Sequence, residues 1–178
     1  MKLTDKIKYK LISWCKGNPS EIIIPNFYDG PYEMDVFRLM KSGYVIEYEI
    51  KISKQDFKKD FTKAHSTGWG TRKRTTFKHE ELIGGRRMCN RFFFVVPEGL
   101  ITMNDIPNHA GLIYFNGSTL YVVKNAPLLH RIKITDKKDI YMSLAHRLSG
   151  REEIAREKAA YWKYKYDETL LELIKLRK

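Results

Sequence analysis

Between Tyr32 and Ile52 the chain reads YEMDVFRLMKSGYVIEYEIKI, two alternating stretches around Lys41-Ser42-Gly43. This segment constrains the fold most, because side chains on a strand change face at every residue. Even positions collect Met34, Val36, Met40, Tyr44, Ile46, Tyr48, Ile50 and Ile52, with Arg38 as the exception. That is a core-facing set. Odd positions collect Glu33, Asp35, Phe37, Leu39, Val45, Glu47, Glu49 and Lys51, so one end of that face gathers four carboxylates and one ammonium. With Lys41-Ser42-Gly43 as the loop, Asp35 faces Glu49 and Glu33 faces Lys51 across the hairpin. A two-residue loop would shift the register and separate them. Opposed carboxylates repel unless a proton or a cation lies between them. Ordinary polar alternation predicts only a wet sheet face; here the charges cluster by sign at one end.

The flanking segments predict a mixed α/β domain. Leu3, Ile7, Leu11 and Trp14 recur at helical spacing over 3–16, and Gly17 follows. Glu21–Ile24 is a short β-rich run, and 26–31 is rich in turn residues. Ser53 with an acid at Asp56 resembles an N-cap, opening a helix from about Lys54 to Ala64. Phe92–Val96 reads as a buried strand, and Asn116-Gly117 marks a hairpin between 111–115 and 119–123. From Asp139 onward the chain reads as helical, with a break at Gly150. The expected organisation is a domain over 1–137 and a helical extension over 138–178.

Composition narrows the function classes. Thirty-three Lys and Arg against 21 Asp and Glu give a net charge of +12, which suits a polyanionic partner. The longest apolar run, Phe92–Val96, is far too short for a membrane span, so no membrane partner is expected. The first residues alternate lysine with apolar side chains and contain no secretory h-region. Cys15 and Cys89 alone make no disulfide framework, which points to a reducing, cytoplasmic setting.

Asp35 followed by Glu49-Ile50-Lys51 on the next strand resembles the Asp…(Asp/Glu)-x-Lys core of the PD-(D/E)XK nuclease superfamily. The extension Glu49-Ile50-Lys51-Ile52-Ser53-Lys54-Gln55-Asp56-Phe57, with Asp60 and Lys63, is similar to a block of the MmcB-like DNA-repair family and its phage relatives. Cys89–Pro97, the turn Pro97–Leu100 and the strand Gly111–Ile113 continue the resemblance, which covers about Glu33 to Leu129. It implies a restriction-endonuclease-like fold, a mixed central sheet flanked by helices, and hydrolysis of DNA phosphodiesters with Mg²⁺ or Mn²⁺. It also implies a bacterial cell or a phage-infected host as the setting. Carried over, Asp35, Glu49 and the Ile50 carbonyl would be metal ligands, and Lys51 would orient water or stabilise the transition state. The family's further acid in the first helix has no counterpart except Asp5; Glu21, Glu33 and Glu47 are the supporting candidates.

The basic segment 65–91 replaces a short link in that family. It holds seven Lys/Arg against Glu80 and Glu81 and reads as a mobile loop. Trp69, Arg72, Lys73, Arg74, Arg86 and Arg87 are its expected DNA contacts, alongside Lys58 and Lys63 on the preceding helix. A zinc site from His65, His79 and Cys89 matches no common spacing. The helix 151–178 is a candidate homodimer contact. Two alternatives to a nuclease are a non-catalytic nucleic-acid-binding protein on the same fold and a phage protein whose acidic face binds a host factor.

Overall fold

In the computed structural model the described residues are 2–16, 20–67 and 74–150. The chain divides into two compact units, Met1–Ile134 and Thr135–Lys178. The first begins with helix α1 (Leu3–Cys15), then strands β1 (Ile22–Asp29), β2 (Tyr32–Leu39) and β3 (Val45–Ile50). Helix α2 (Lys54–Asp60), strands β4 (Ala64–Thr67) and β5 (Arg74–Phe77) and helix α3 (Lys78–Ile83) follow. Strands β6 (Arg91–Pro97), β7 (Ala110–Phe115) and β8 (Leu120–Lys124) complete the unit. The second unit is helical over 138–150, passing through Gly150 where a break was expected. The rest of the expected dimer-forming helix, 151–178, lies outside the described residues.

Six strands form one mixed sheet in the order β1-β2-β3-β6-β7-β8, and β4 pairs with β5 apart from it. β3–β6 and β6–β7 are parallel; the other pairs are antiparallel. The fold class expected from the sequence is therefore the one found, a mixed sheet with helices on both faces. The β1 strand runs further than the turn-rich 26–31 suggested. It crosses Pro25 and Asn26, whose φ is +54°, and keeps one register with β2 down to Asp29. An edge strand tolerates such residues because one row of its backbone groups has no ladder partner.

The two faces are covered by different elements. On the even face, α1 contributes Ile7, Leu11 and Cys15 to a core with Val36, Ile46, Tyr48, Phe93 and Ile113. The inner stripe of α1 thus runs through Cys15, while Leu3 and Trp14 are exposed. On the odd face, Phe57 of α2 meets Phe94 edge-on at 4.9 Å, and His79 of α3 meets Phe92 at 5.6 Å. The odd face is accordingly no wet surface: Phe37, Leu39, Val45 and Glu47 are all 0% exposed. Gly111 lets β7 pass close to its surroundings, since a Cβ there would lie 2.5 Å from the Phe93 ring and 2.7 Å from the Ala126 nitrogen.

The segment expected to be a mobile basic loop is built structure where it is described. It folds as the β4–β5 hairpin and α3. Tyr32 Oη donates to Thr76 Oγ1 at 2.5 Å, tying β5 to β2. Met88 and Asn90 continue the tie-down: Asp29 accepts from the Met88 N–H at 3.3 Å, and Asn90 Oδ1 accepts from the Val45 N–H at 2.7 Å.

Candidate active site

The three-residue loop holds the register on which the site depends. Gly43, at φ +86°, closes the turn by donating to Met40 O at 2.9 Å, and Met40 N–H donates to Tyr44 O at 2.8 Å. The ladder then pairs Leu39 with Val45 and Val36 with Tyr48. Beyond Val36 the two strands part. The Ile50 N–H, next in the hydrogen-bonding rhythm, is accepted by Asp35 Oδ2 at 2.8 Å. The Asp35 side chain thus takes the place of a ladder carbonyl and is held at the mouth of the opening.

Asp35, Glu49 and Lys51 all line one cavity of about 700 Å³, with Glu33, Lys59, Lys63, His65 and Lys78 around it. Asp35 Oδ1 lies 2.9 Å from Lys8 Nζ of α1. Glu49 is gripped by two ammonium groups, Lys51 Nζ at 2.8 Å from Oε1 and Lys78 Nζ at 2.5 Å from Oε2. Burial, and then the charge of Glu49, raise the Asp35 pKa above the ordinary aspartate value, against the Ile50 N–H and Lys8. A cation between the two acids would relieve that repulsion.

Lys51 is anchored from below. α2 is capped by Ser53, whose Oγ accepts from the Asp56 N–H at 3.1 Å. One helical turn separates Phe57 and Asp60, so both face inward, and both are buried. Asp60 Oδ1 reaches Lys51 Nζ at 2.6 Å, and Asp60 Oδ2 reaches His79 Nε2 at 2.8 Å. His79 Nδ1 meets His109 Nε2 at 2.8 Å. Burial opposes the Lys51 charge, but Glu49 and Asp60 outweigh it and raise its pKa. Burial also opposes the Asp60 charge; the His79 hydrogen bond, Lys78 and Lys51 prevail and hold its pKa well below the usual range. His109 is pushed down to about 4 by burial, by His79 and by Lys124, which keeps it neutral near pH 7.

Under the cavity lies a second set of ion pairs. Lys78 Nζ bridges Glu49 to Glu47 Oε1 at 2.7 Å. Arg87 Nη2 meets Glu47 Oε2 at 3.2 Å, and Arg87 Nε meets Asp29 Oδ2 at 2.6 Å. Its guanidinium lies 4.4 Å from the centre of the Tyr32 ring.

Several expected residues are placed elsewhere. Arg87 is 4% exposed and saturated by two acids and a ring, so it is a structural cation and not a DNA contact. Glu21 pairs with Arg38 at 2.7 Å on the even face, across the sheet from the cavity, so it supports no metal there. Glu33 stays at the cavity, held by Asn26 Nδ2 at 2.5 Å and Tyr28 Oη at 3.1 Å. Glu47 is buried beneath the site, and Lys78 separates it from open solvent. Of the helix lysines, Lys63 lines the cavity together with Lys59, whereas Lys58 lines a neighbouring groove. Arg86 is exposed and pairs with Glu81 at 2.9 Å, and Arg74 approaches the same glutamate at 3.9 Å. Trp69, Arg72 and Lys73 lie outside the described residues. The imagined zinc trio does not assemble: His79 is committed to Asp60 and His109, His65 stacks near Tyr32 at 4.6 Å, and buried Cys89 donates to Arg91 O.

The donor set fits a hard divalent ion. Asp35, Glu49 and the Ile50 carbonyl, which leaves the strand on the same edge as its N–H, offer only oxygen. Among the described residues no cluster of three or more His, Cys, Asp or Glu side chains has metal-holding geometry, so any ion here rests on two carboxylates, the backbone and waters.

No protein-family model matches the chain, and no curated protein matches it. Among solved structures, it is similar to a protein of unknown function from Silicibacter pomeroyi, at 18% identity and a TM-score of 0.56, over 87% of this chain and 89% of that one. At that identity the likeness concerns the fold alone. No helix among the described residues is long and apolar enough to cross a membrane.

Proposed function

We propose that the protein is a divalent-metal-dependent DNA nuclease, acting in bacterial or phage DNA processing. The observation that carries this reading is the convergence of Asp35, Glu49 and Lys51 on one cavity, with Lys59 and Lys63 at its rim. Asp35, Glu49 and the Ile50 carbonyl would hold Mg²⁺ or Mn²⁺. When bound, such an ion lowers the pKa of water and neutralises phosphate charge. Lys51 Nζ, fixed between Glu49 and Asp60, is positioned to hold the attacking water and to stabilise charge building on the phosphate. Exposed Lys59 and Lys63 would hold flanking phosphates, which places the DNA backbone along α2. The net charge of +12 supports a polyanionic substrate.

A second reading, a nucleic-acid-binding protein without catalysis, draws on a specific observation. Every carboxylate oxygen of Asp35 and Glu49 already has an N–H or ammonium partner. Carboxylate oxygens have spare lone pairs, so an ion can join these partners, but internal neutralisation is also what a disarmed site would show.

One experiment separates the two. The protein is incubated with single-stranded, nicked, branched and duplex DNA in Mg²⁺, Mn²⁺ or chelator. The nuclease reading expects metal-dependent cutting that is lost in Asp35→Asn and Lys51→Met. Binding without cutting of any substrate, unchanged in both variants, would establish the second reading.

A further inference from the structure

We propose that Lys78 is a built-in cation that occupies the place of a second divalent ion, so that the site takes one ion per chain. The inference rests on the metal-dependent reading above and deepens it. Glu47 and Glu49 lie two residues apart on β3 and face the same side, as a pair able to clasp a cation. They clasp Lys78 Nζ, at 2.7 Å and 2.5 Å. Lys78 is the first residue of α3, is 5% exposed, and has its Nζ 5.2 Å from the centre of the Phe92 ring. Glu47 is 0% exposed. Magnesium sheds water reluctantly and keeps several water ligands, for which a carboxylate sealed in this way leaves no room. An ammonium needs only acceptors.

Charge balance leads to the same conclusion. The linked cluster holds the acids Asp29, Asp35, Glu47, Glu49 and Asp60 against Lys8, Lys51, Lys78 and Arg87. That leaves one net negative charge. One divalent ion together with one phosphodiester brings the cluster to neutrality. A second divalent ion would leave two uncompensated positive charges where water screens poorly. Lys78 therefore sets the number of ions by filling the inner acid pair, while Asp35 and Glu49 stay open toward the cavity.

The test is Mn²⁺ binding to the full chain, followed by calorimetric stoichiometry and electron paramagnetic resonance. Two Mn²⁺ about 3.5–4 Å apart give a spin-coupled spectrum, and one gives the ordinary six-line signal. The wild type and Lys78→Arg are expected to bind one ion without coupling. Lys78→Gln is expected to bind two and to show the coupled spectrum. A coupled pair in the wild type would overturn the inference and leave the nuclease reading standing. So would a folded Lys78→Gln that still binds a single ion. If Lys78→Gln does not fold, the wild-type and Lys78→Arg spectra decide. Absence of any Mn²⁺ bound to the wild type would overturn the metal-dependent reading and the inference together, which separates the two failures.

Discussion

Asp60→Asn is the perturbation whose consequences the structure defines most closely. The carboxylate is buried, 2.6 Å from Lys51 Nζ and 2.8 Å from His79 Nε2. Removing one member of a buried ion pair costs about 3–5 kcal/mol. Asparagine keeps an acceptor, and Lys51 keeps Glu49 at 2.8 Å, so the expected loss is lower, about 2–3 kcal/mol. For a domain of this size that corresponds to a fall in Tm of about 10 °C. The pH dependence has a definite sign. The folded pKa of Asp60 is depressed, so its contribution is complete above the unfolded value and is lost as pH falls through the folded one. The variant and the wild type should therefore converge in strong acid. The assay is urea unfolding at pH 7 of the wild type, Asp60→Asn, Lys51→Met and the double variant. A coupling of about 1.5–3 kcal/mol is expected. In nuclease assays the single Asp60 variant should lose about 10–100-fold in rate, because Lys51 is no longer held in place. A coupling below about 0.5 kcal/mol would refute the claim that Asp60 positions Lys51.

Three further outcomes follow from the same geometry. Asp35→Asn should raise the metal-free stability at pH 7 by about 0.5–1 kcal/mol in urea unfolding with chelator present, since the folded state raises the Asp35 pKa and so disfavours its charge; a loss of more than about 1 kcal/mol would contradict this. His109 is held neutral with a pKa of about 4, so the wild type should lose stability as pH falls from about 6.5 toward 4, and His109→Gln should flatten that limb of the urea-midpoint profile; identical profiles would count against the buried His79–His109 pair. Lys59→Gln with Lys63→Gln should reduce the slope of log affinity against log salt by about 1.4–1.8 for bound DNA, whereas an unchanged slope would place the phosphates elsewhere.

The hairpin carried more of the site than any other segment, and its alternation explains why. Three loop residues set the register, and period two then puts Asp35, Glu49 and Lys51 on one side. The even-face core was legible for the same reason. What escaped sequence reasoning is the layer that covers the odd face. α3 has six residues, and β4 and β5 have four each, too short for periodicity to register. Their charges look like a solvated run in sequence, yet Lys78, His79 and Arg87 are all buried. Burial of a cation depends on acids that arrive from distant strands, Glu47 and Glu49 for Lys78 and Asp29 for Arg87, and no local pattern reports that. Asp60 stood in view within the block that follows Lys51, three residues after Phe57, and helical spacing put both on one inward face. His109 sits on a turn after Pro107 with nothing beside it in sequence to suggest a partner. Glu21 misled because its neighbour in space, Arg38, was the one charged exception on the core-facing set.

The most direct measurement is a crystal of the full chain soaked in Mn²⁺, with anomalous difference density computed at the manganese edge. The account predicts a peak within about 2.0–2.3 Å of oxygens from both Asp35 and Glu49, beside Lys51 Nζ. Density that avoids these two side chains, or a cavity that takes no ion at millimolar Mn²⁺, would contradict it.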